Sequence, residues 1–239
     1  MRCTAFIHPI VVLLAALLAA SEAATAQDIV VRVNGGPVTS YDVAQRMRWN
    51  NRTNNFGERI KARLIGDATG KEFRRRLMAA QPHNQAEAQQ MAERIKKELV
   101  EDAKKQVLSE EDPATRKAMI EALIEDRLKL LEAKRLGIEI GDSEVEEALA
   151  VRAGTGADGK PDLNAFYTQF ENDGIGRKTI QELIRAQLAW RDAIRRVCRP
   201  GATEVFPHDC KTFTPSTYEN FSRSYLQELR QKASIEYLG

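Results

Sequence analysis

The sequence predicts a mostly α-helical fold, a helical core closed by a small β-sheet or hairpin that both ends contribute. Three observations carry this expectation. Residues 28–43 (DIVVRVNGGPVTSYDV) read as a short strand, a tight turn and a helix start. Residues 224–239 (SYLQELRQKASIEYLG) read as a helix running into a second short strand. Between them lie apolar stripes at steps of three and four, separated by caps and glycines.

Taken in order, residues 29–33 are β-branched, and Asn34-Gly35-Gly36 supplies the positive-φ residues of a hairpin turn. Val38-Thr39 is the expected return strand, and Ser40 the cap of a helix over about 41–49, with a break at 50–55. Residues 56–80 read as helix interrupted at Gly66 and Gly70. Asn84 caps a helix whose stripe is Ala88, Met91, Ala92, Ile95, Leu99, Ala103 and Val107. Asp112-Pro113 opens the next, with cap and first-turn proline in sequence. Its stripe of Ile120, Leu123, Ile124, Leu128 and Leu131 is widened by Met119 and Leu130, which predicts a central helix with neighbours on several sides. Gly137 ends it in a left-handed cap. Asp142 is the expected cap of a helix to Arg152, and residues 154–162 (GTGADGKPD) are the most flexible stretch by composition. A short helix over 163–172 stops at Gly174. A long one follows, with Ile180, Leu183, Ile184, Leu188, Trp190, Ile194 and Val197 inward. After an irregular stretch at 199–215, Ser216 caps a last helix carrying Tyr218, Phe221, Tyr225, Leu226 and Leu229, and residues 234–238 are extended.

The first residues predict the compartment. Arg2, the apolar run 10–20 (IVVLLAALLAA) and Ala24-Thr25-Ala26 form a signal-peptide pattern with cleavage before Gln27. A run of about 11 apolar residues is too short to span a bilayer, which takes roughly 20. Residues 1–26 are therefore the expected leader, and 27–239 one domain of ordinary size. A formal charge of +2 argues against a dedicated nucleic-acid binder, and no second long apolar segment predicts stable membrane insertion.

Four segments carry a family resemblance. Residues 29–47 (IVVRVNGGPVTSYDVAQRM) resemble the opening of the SurA-type periplasmic chaperones and foldases. Residues 122–150 (ALIEDRLKLLEAKRLGIEIGDSEVEEALA) resemble that family's central helix, its glycine cap and the next helix. Residues 170–196 (FENDGIGRKTIQELIRAQLAWRDAIRR) resemble its following helical pair, and residues 224–239 its returning C-terminal helix. The resemblance implies a helical chaperone core and clients that are unfolded or nascent envelope proteins. Two departures stand out. Members usually carry one or two parvulin-type isomerase domains before the last helix, each roughly 90 residues, whereas only residues 199–215 fill that place here. The stretch 51–111 is longer than the family pattern and reads as an extended helical insertion.

Several constellations compete with ordinary structural roles. Cys198 and Cys210 are the cysteines that remain after the leader, and in an oxidising compartment their close spacing reads as a disulfide. Free thiols, or a metal site with His208, are the alternatives, and three such ligands fall short of the four of a closed zinc site. Trp190, Phe221 and Tyr225 are candidate peptide-binding aromatics, against a core role at helical spacing. The basic residues of 59–76 could steer anionic partners or form a solvated helix face. Asn51-Arg52-Thr53 and Asn220-Phe221-Ser222 match a glycan-acceptor pattern that has no meaning in a bacterial periplasm. Gly154-Thr155-Gly156 has neither the preceding strand nor the following Lys-Ser/Thr of a phosphate loop.

The sequence thus predicts a periplasmic chaperone module without an isomerase domain, with no catalytic residue, metal or cofactor. It would hold extended polypeptide in a cleft between the helical body and the terminal helix. A prolyl isomerase, and an envelope adaptor binding one folded partner through the charged helix near residues 86–108, are the competing functions.

Overall fold

The computed structural model describes residues 29–156, 158–198 and 215–238. Among them lie three strands, β1 (Ile29–Val33), β2 (Gly36–Thr39) and β3 (Ile235–Tyr237). The helices are α1 (Ser40–Thr53), α2 (Phe56–Ile65), α3 (Asp67–Ala80), α4 (Gln85–Leu108), α5 (Pro113–Arg135), α6 (Asp142–Ala150), α7 (Leu163–Asn172), α8 (Arg177–Val197) and α9 (Pro215–Lys232). Mostly helical with a small terminal sheet is what the sequence predicts.

The sheet is antiparallel throughout, in the order β2-β1-β3. Asn34 (φ 49°) and Gly35 (φ 80°) form the hairpin turn, since two successive positive φ values match the twist of the flanking strands. Asn34 has a second task. Its N–H donates to the Ser234 carbonyl at 2.8 Å and its Oδ1 accepts from the Ser234 N–H at 2.9 Å, so the turn also receives the chain's last strand. Leu238 N–H donates to Val30 O at 2.9 Å, fixing the register that sets Val31 opposite Tyr237.

The inner faces of β1 and α1 bury Val31, Val33, Val43 and Met47 against Ile124 and Leu128 of α5. A second core joins α6, α7 and α8 through Val145, Leu149, Phe170, Ile180 and Ile184. A third joins α8 to α9. Helix α5 touches α1, α8, α9 and β1, the central position its wide stripe predicts. Helices α2 and α3 fully bury no residue and pack on α4, forming an arm beside this body.

Several boundaries depart from expectation. Thr39, not Ser40, caps α1: its Oγ1 accepts from Asp42 N–H at 3.2 Å while the Asp42 carboxylate accepts from Thr39 N–H at 2.9 Å. Helix α1 continues through the supposed break to Thr53, because its asparagines find partners. Asn54 Nδ2 donates to Asn50 Oδ1 at 2.6 Å, and Asn51 Nδ2 donates to the carbonyls of Leu108 and Glu110. Gly70 lies inside α3, and only Gly66 interrupts the arm. Gly141 rather than Asp142 caps α6, with Glu144 accepting its N–H at 2.9 Å, and Asp142 pairs with Arg185 instead. Residues 154–156 pair with residues 160–162 through Gly156 N–H to Lys160 O (2.7 Å) and Asp162 N–H to Gly154 O (2.9 Å). The expected leader, and Cys210 with the stretch before α9, lie outside the described residues.

Helix α9 is latched to the body at three heights. Trp190 Nε1 donates to Ser222 Oγ at 2.8 Å. The Tyr225 hydroxyl donates to Glu132, a carboxylate only 4% exposed that Arg135 also grips with two bonds of 2.8 Å. Arg230 pairs with Glu121, which also accepts the Tyr237 hydroxyl at 2.8 Å. Burial, and then the hydrogen bond to Glu132, push the Tyr225 phenol above its ordinary range. The folded state therefore favours the protonated phenol, and that stabilisation is complete below about pH 10, where the unfolded phenol is also neutral. As pH rises past that point the unfolded chain gains by ionising and the fold loses. Tyr225→Phe should lower stability near neutrality by about 1 kcal/mol and flatten the alkaline decline of thermal stability. An alkaline branch as steep as wild type would mean that Tyr225 does not close the latch.

Candidate functional site

Two grooves flank α5. The first is bounded by β2 and the start of α1 on one side and by the first turns of α8 on the other, with a cavity of about 520 Å³. Its floor comes from α5 by helical spacing. Leu123, Asp126, Arg127 and Leu130 stand at i, i+3, i+4 and i+7, hence on one face. Val38 and Leu183 extend the apolar floor, and Tyr41, 62% exposed, stands at the rim.

The walls are held by one buried side chain and a more exposed one. Gln45, 2% exposed, donates from Nε2 to Gly174 O at 3.0 Å and accepts the Gly176 N–H on Oε1 at 2.8 Å. One amide thus clamps the α7–α8 turn to α1, and Arg48 adds a donor to Gly174 O at 3.2 Å. Most charges on the groove are neutralised locally. Arg46 meets Asp126 at 3.1 Å, Lys178 meets Glu182 at 3.7 Å, and Arg185 meets Asp142 at 2.5 Å. Arg127 differs, since it donates to the Pro37 carbonyl at 3.2 Å and not to a carboxylate.

The second groove, about 660 Å³, lies between α5 and α9, where the sequence places the capture cleft. Leu128, Leu131 and Leu229 line it beside Glu132, Arg135, Glu228 and Lys232. Leu131, expected in the buried stripe, is 36% exposed and faces this groove.

The predicted site residues fall into place unevenly. Trp190, Phe221 and Tyr225 do come together, stacked at 5.6 Å (Trp190–Tyr225) and 5.8 Å (Phe221–Tyr225) between ring centres. They are buried, however, and form the seam joining α9 to α8. Of the three, Tyr225 also borders the second groove. Cys198 closes α8 and is buried; Cys210 is outside the described residues. The basic run mostly staples the arm. Arg59 and Arg63 both bind Glu110, and Arg75 and Arg76 bind Glu72 at 2.6 and 2.8 Å. Arg76 also reaches Asp102 at 2.7 Å. These two arginines hold the Glu72 carboxyl down to about 2. Asn51 is buried with its amide spent on backbone carbonyls, which leaves it no role as a glycan acceptor. Among the described residues no group of three His, Cys, Asp or Glu side chains is placed to hold a metal ion, and no helix is long and apolar enough to cross a membrane.

Sequence reasoning missed Gln45, Asn51 and Glu132, the three buried polar residues among those described: Gln45 holds the wall of the first groove, Glu132 lines the second, and Asn51 ties α1 to the end of α4. Two of them had a signal. Asn51 continues the step of four from Val43 and Met47, and Glu132 continues it from Ile124 and Leu128. A polar residue in register with a buried stripe is buried with its partners.

Against known protein families, residues 74–194 match the SurA-like N-terminal domain, just over half of the chain. The match runs from within α3 to within α8 and so contains α5 and the α8 wall of the first groove. The chain matches no curated protein. The matched domain is the non-catalytic chaperone portion of SurA-type proteins, and it is the part that builds the groove floor. The chain belongs to the SurA-like N-terminal domain family and shares its chaperone-like character.

Proposed function

We propose that the protein is a periplasmic holding chaperone that captures extended segments of unfolded envelope polypeptides in the groove between β2, α5 and α8. The observation that carries this reading is the lining: the half-buried Leu123 and Leu130 present an apolar floor, backed by the buried Val38 and Leu183, with Tyr41 exposed at the rim. A rim aromatic supplies contact area at low entropic cost, and an apolar floor accepts many side chains without strict sequence preference. The groove at α9 is the lesser candidate, since charged residues interrupt its leucines and the latch closes its base. Trp190, Phe221 and Tyr225 then act as the hinge-side packing that keeps α9 in place, and contact client only if that seam opens. Proline isomerisation is not part of this reading: the segment between α8 and α9 is far shorter than the roughly 90 residues of a parvulin domain.

Light scattering tests it. The protein should suppress aggregation of several unrelated denatured proteins at near-stoichiometric ratio, and hold them in moderate salt, which screens exposed charges beyond about 8–10 Å. It should not accelerate a proline-limited refolding reaction. Replacing Tyr41 and Leu130 together by Ser should weaken client binding about tenfold, equivalent to roughly 1.4 kcal/mol. Thermal stability should change little, because Tyr41 is mostly exposed and Leu130 only half-buried. Undiminished holding by the double variant would remove the groove from the mechanism.

Export and the Cys198–Cys210 bridge belong to the same proposal. The mature protein should begin at or near Gln27 and show no titratable thiol when denatured without reductant. Loss of the bridge in Cys198→Ser should cost roughly 3 kcal/mol at most for a loop of about 13 residues. Two free thiols in material purified from the periplasm would refute the bridge.

A further inference from the structure

We infer that the groove selects client segments carrying an acidic side chain flanked by apolar residues, with Arg127 as the carboxylate anchor. The inference rests on the groove being the client site. Its ground is an imbalance of charge. Every other cation lining the groove has a carboxylate within 4 Å, whereas Arg127 has none among the described residues. A guanidinium offers five N–H donors in a planar fork suited to a carboxylate. The bond to Pro37 O at 3.2 Å uses one of them.

The guanidinium is also held in position. A Cβ at Gly36 would lie 3.0 Å from Arg127 Nε and 3.1 Å from Nη2, so the glycine lets the fork lie against the hairpin. That contact disfavours a strand added to β2, because Pro37 has no N–H to give and its carbonyl is already taken. Side-chain recognition is what remains. Leu123 and Leu130 stand one turn before and one turn after Arg127 on the same face of α5, roughly 10 Å apart at 1.5 Å per residue. Side chains on one face of an extended chain recur every second residue, about 6.6 Å apart, so this spacing suits an internal acidic residue with apolar residues two positions before and two positions after it. It does not call for a chain terminus.

Two fluorescein-labelled nonapeptides of alternating Leu and Ser test this, one with Glu and one with Gln in place of the central Leu, titrated by fluorescence anisotropy. The intact protein should bind the Glu peptide about tenfold more tightly. That preference should disappear in Arg127→Gln, survive in part in Arg127→Lys, and shrink in 0.5 M salt. Equal binding of the two peptides by the intact protein overturns the inference and leaves the groove reading standing. Failure of both peptides to bind overturns both. Concentration-dependent dimerisation abolished by Arg127→Gln would assign the face to a second copy and also overturn the inference.

Discussion

The whole structure depends on the pairing of β1 with β3, two strands about 200 residues apart in sequence. Closing so long a loop is entropically unfavourable, and three residues of strand cannot hold it alone, since a short ribbon is marginal in water. The pairing persists because α9 arrives with it. The ring of Tyr225 stacks on both Trp190 and Phe221, while Leu226 and Ile235 reach the core beneath the sheet. Sheet, seam and latch are therefore one cooperative element, and the α5 surface keeps its shape because that element clamps it.

Helix α5 is the common wall of everything that follows. Its stripe is wide enough to meet the sheet, α1, α8 and α9, so no single neighbour covers it. What the neighbours leave uncovered becomes the two grooves. The buried clamp formed by Gln45 ties the α7–α8 turn to α1, and the half-buried ion pair of Arg46 with Asp126 ties α1 to α5, so both sides of the first groove are braced by polar contacts. Arg127 lies half-buried against the β1–β2 hairpin between Leu123 and Leu130, a cation without a carboxylate partner among the described residues in a groove whose other cations are paired.

Much of the fold was legible. Asn34-Gly35, Asp112-Pro113 and Gly137 act locally, and local chemistry reads directly from sequence. The terminal pairing was legible because the β-branched run at 29–33 and the extended 234–238 had no other partner. The capping of α1 and α6 was missed by one residue: at α1 Thr39 and Ser40 competed and the reciprocal bonds of Thr39 with Asp42 decided, while α6 is capped at Gly141, whose N–H is held by Glu144. The groove was not legible, because Tyr41, Leu123 and Leu183 come from three helices far apart in sequence. The aromatic trio was legible as a set, but its burial depends on where α9 lands, and no periodicity within α9 specifies that.

Thermal unfolding of the chain lacking residues 216–239 tests the central claim most directly. If α9 and β3 clamp the α5 surface, the truncated chain should lose several kcal/mol and melt at least roughly 10 °C lower, at about 2–4 °C per kcal/mol for a chain of this size. Amides of β1 should lose their exchange protection along with it. A truncated chain that kept its melting temperature and its β1 protection would contradict the account.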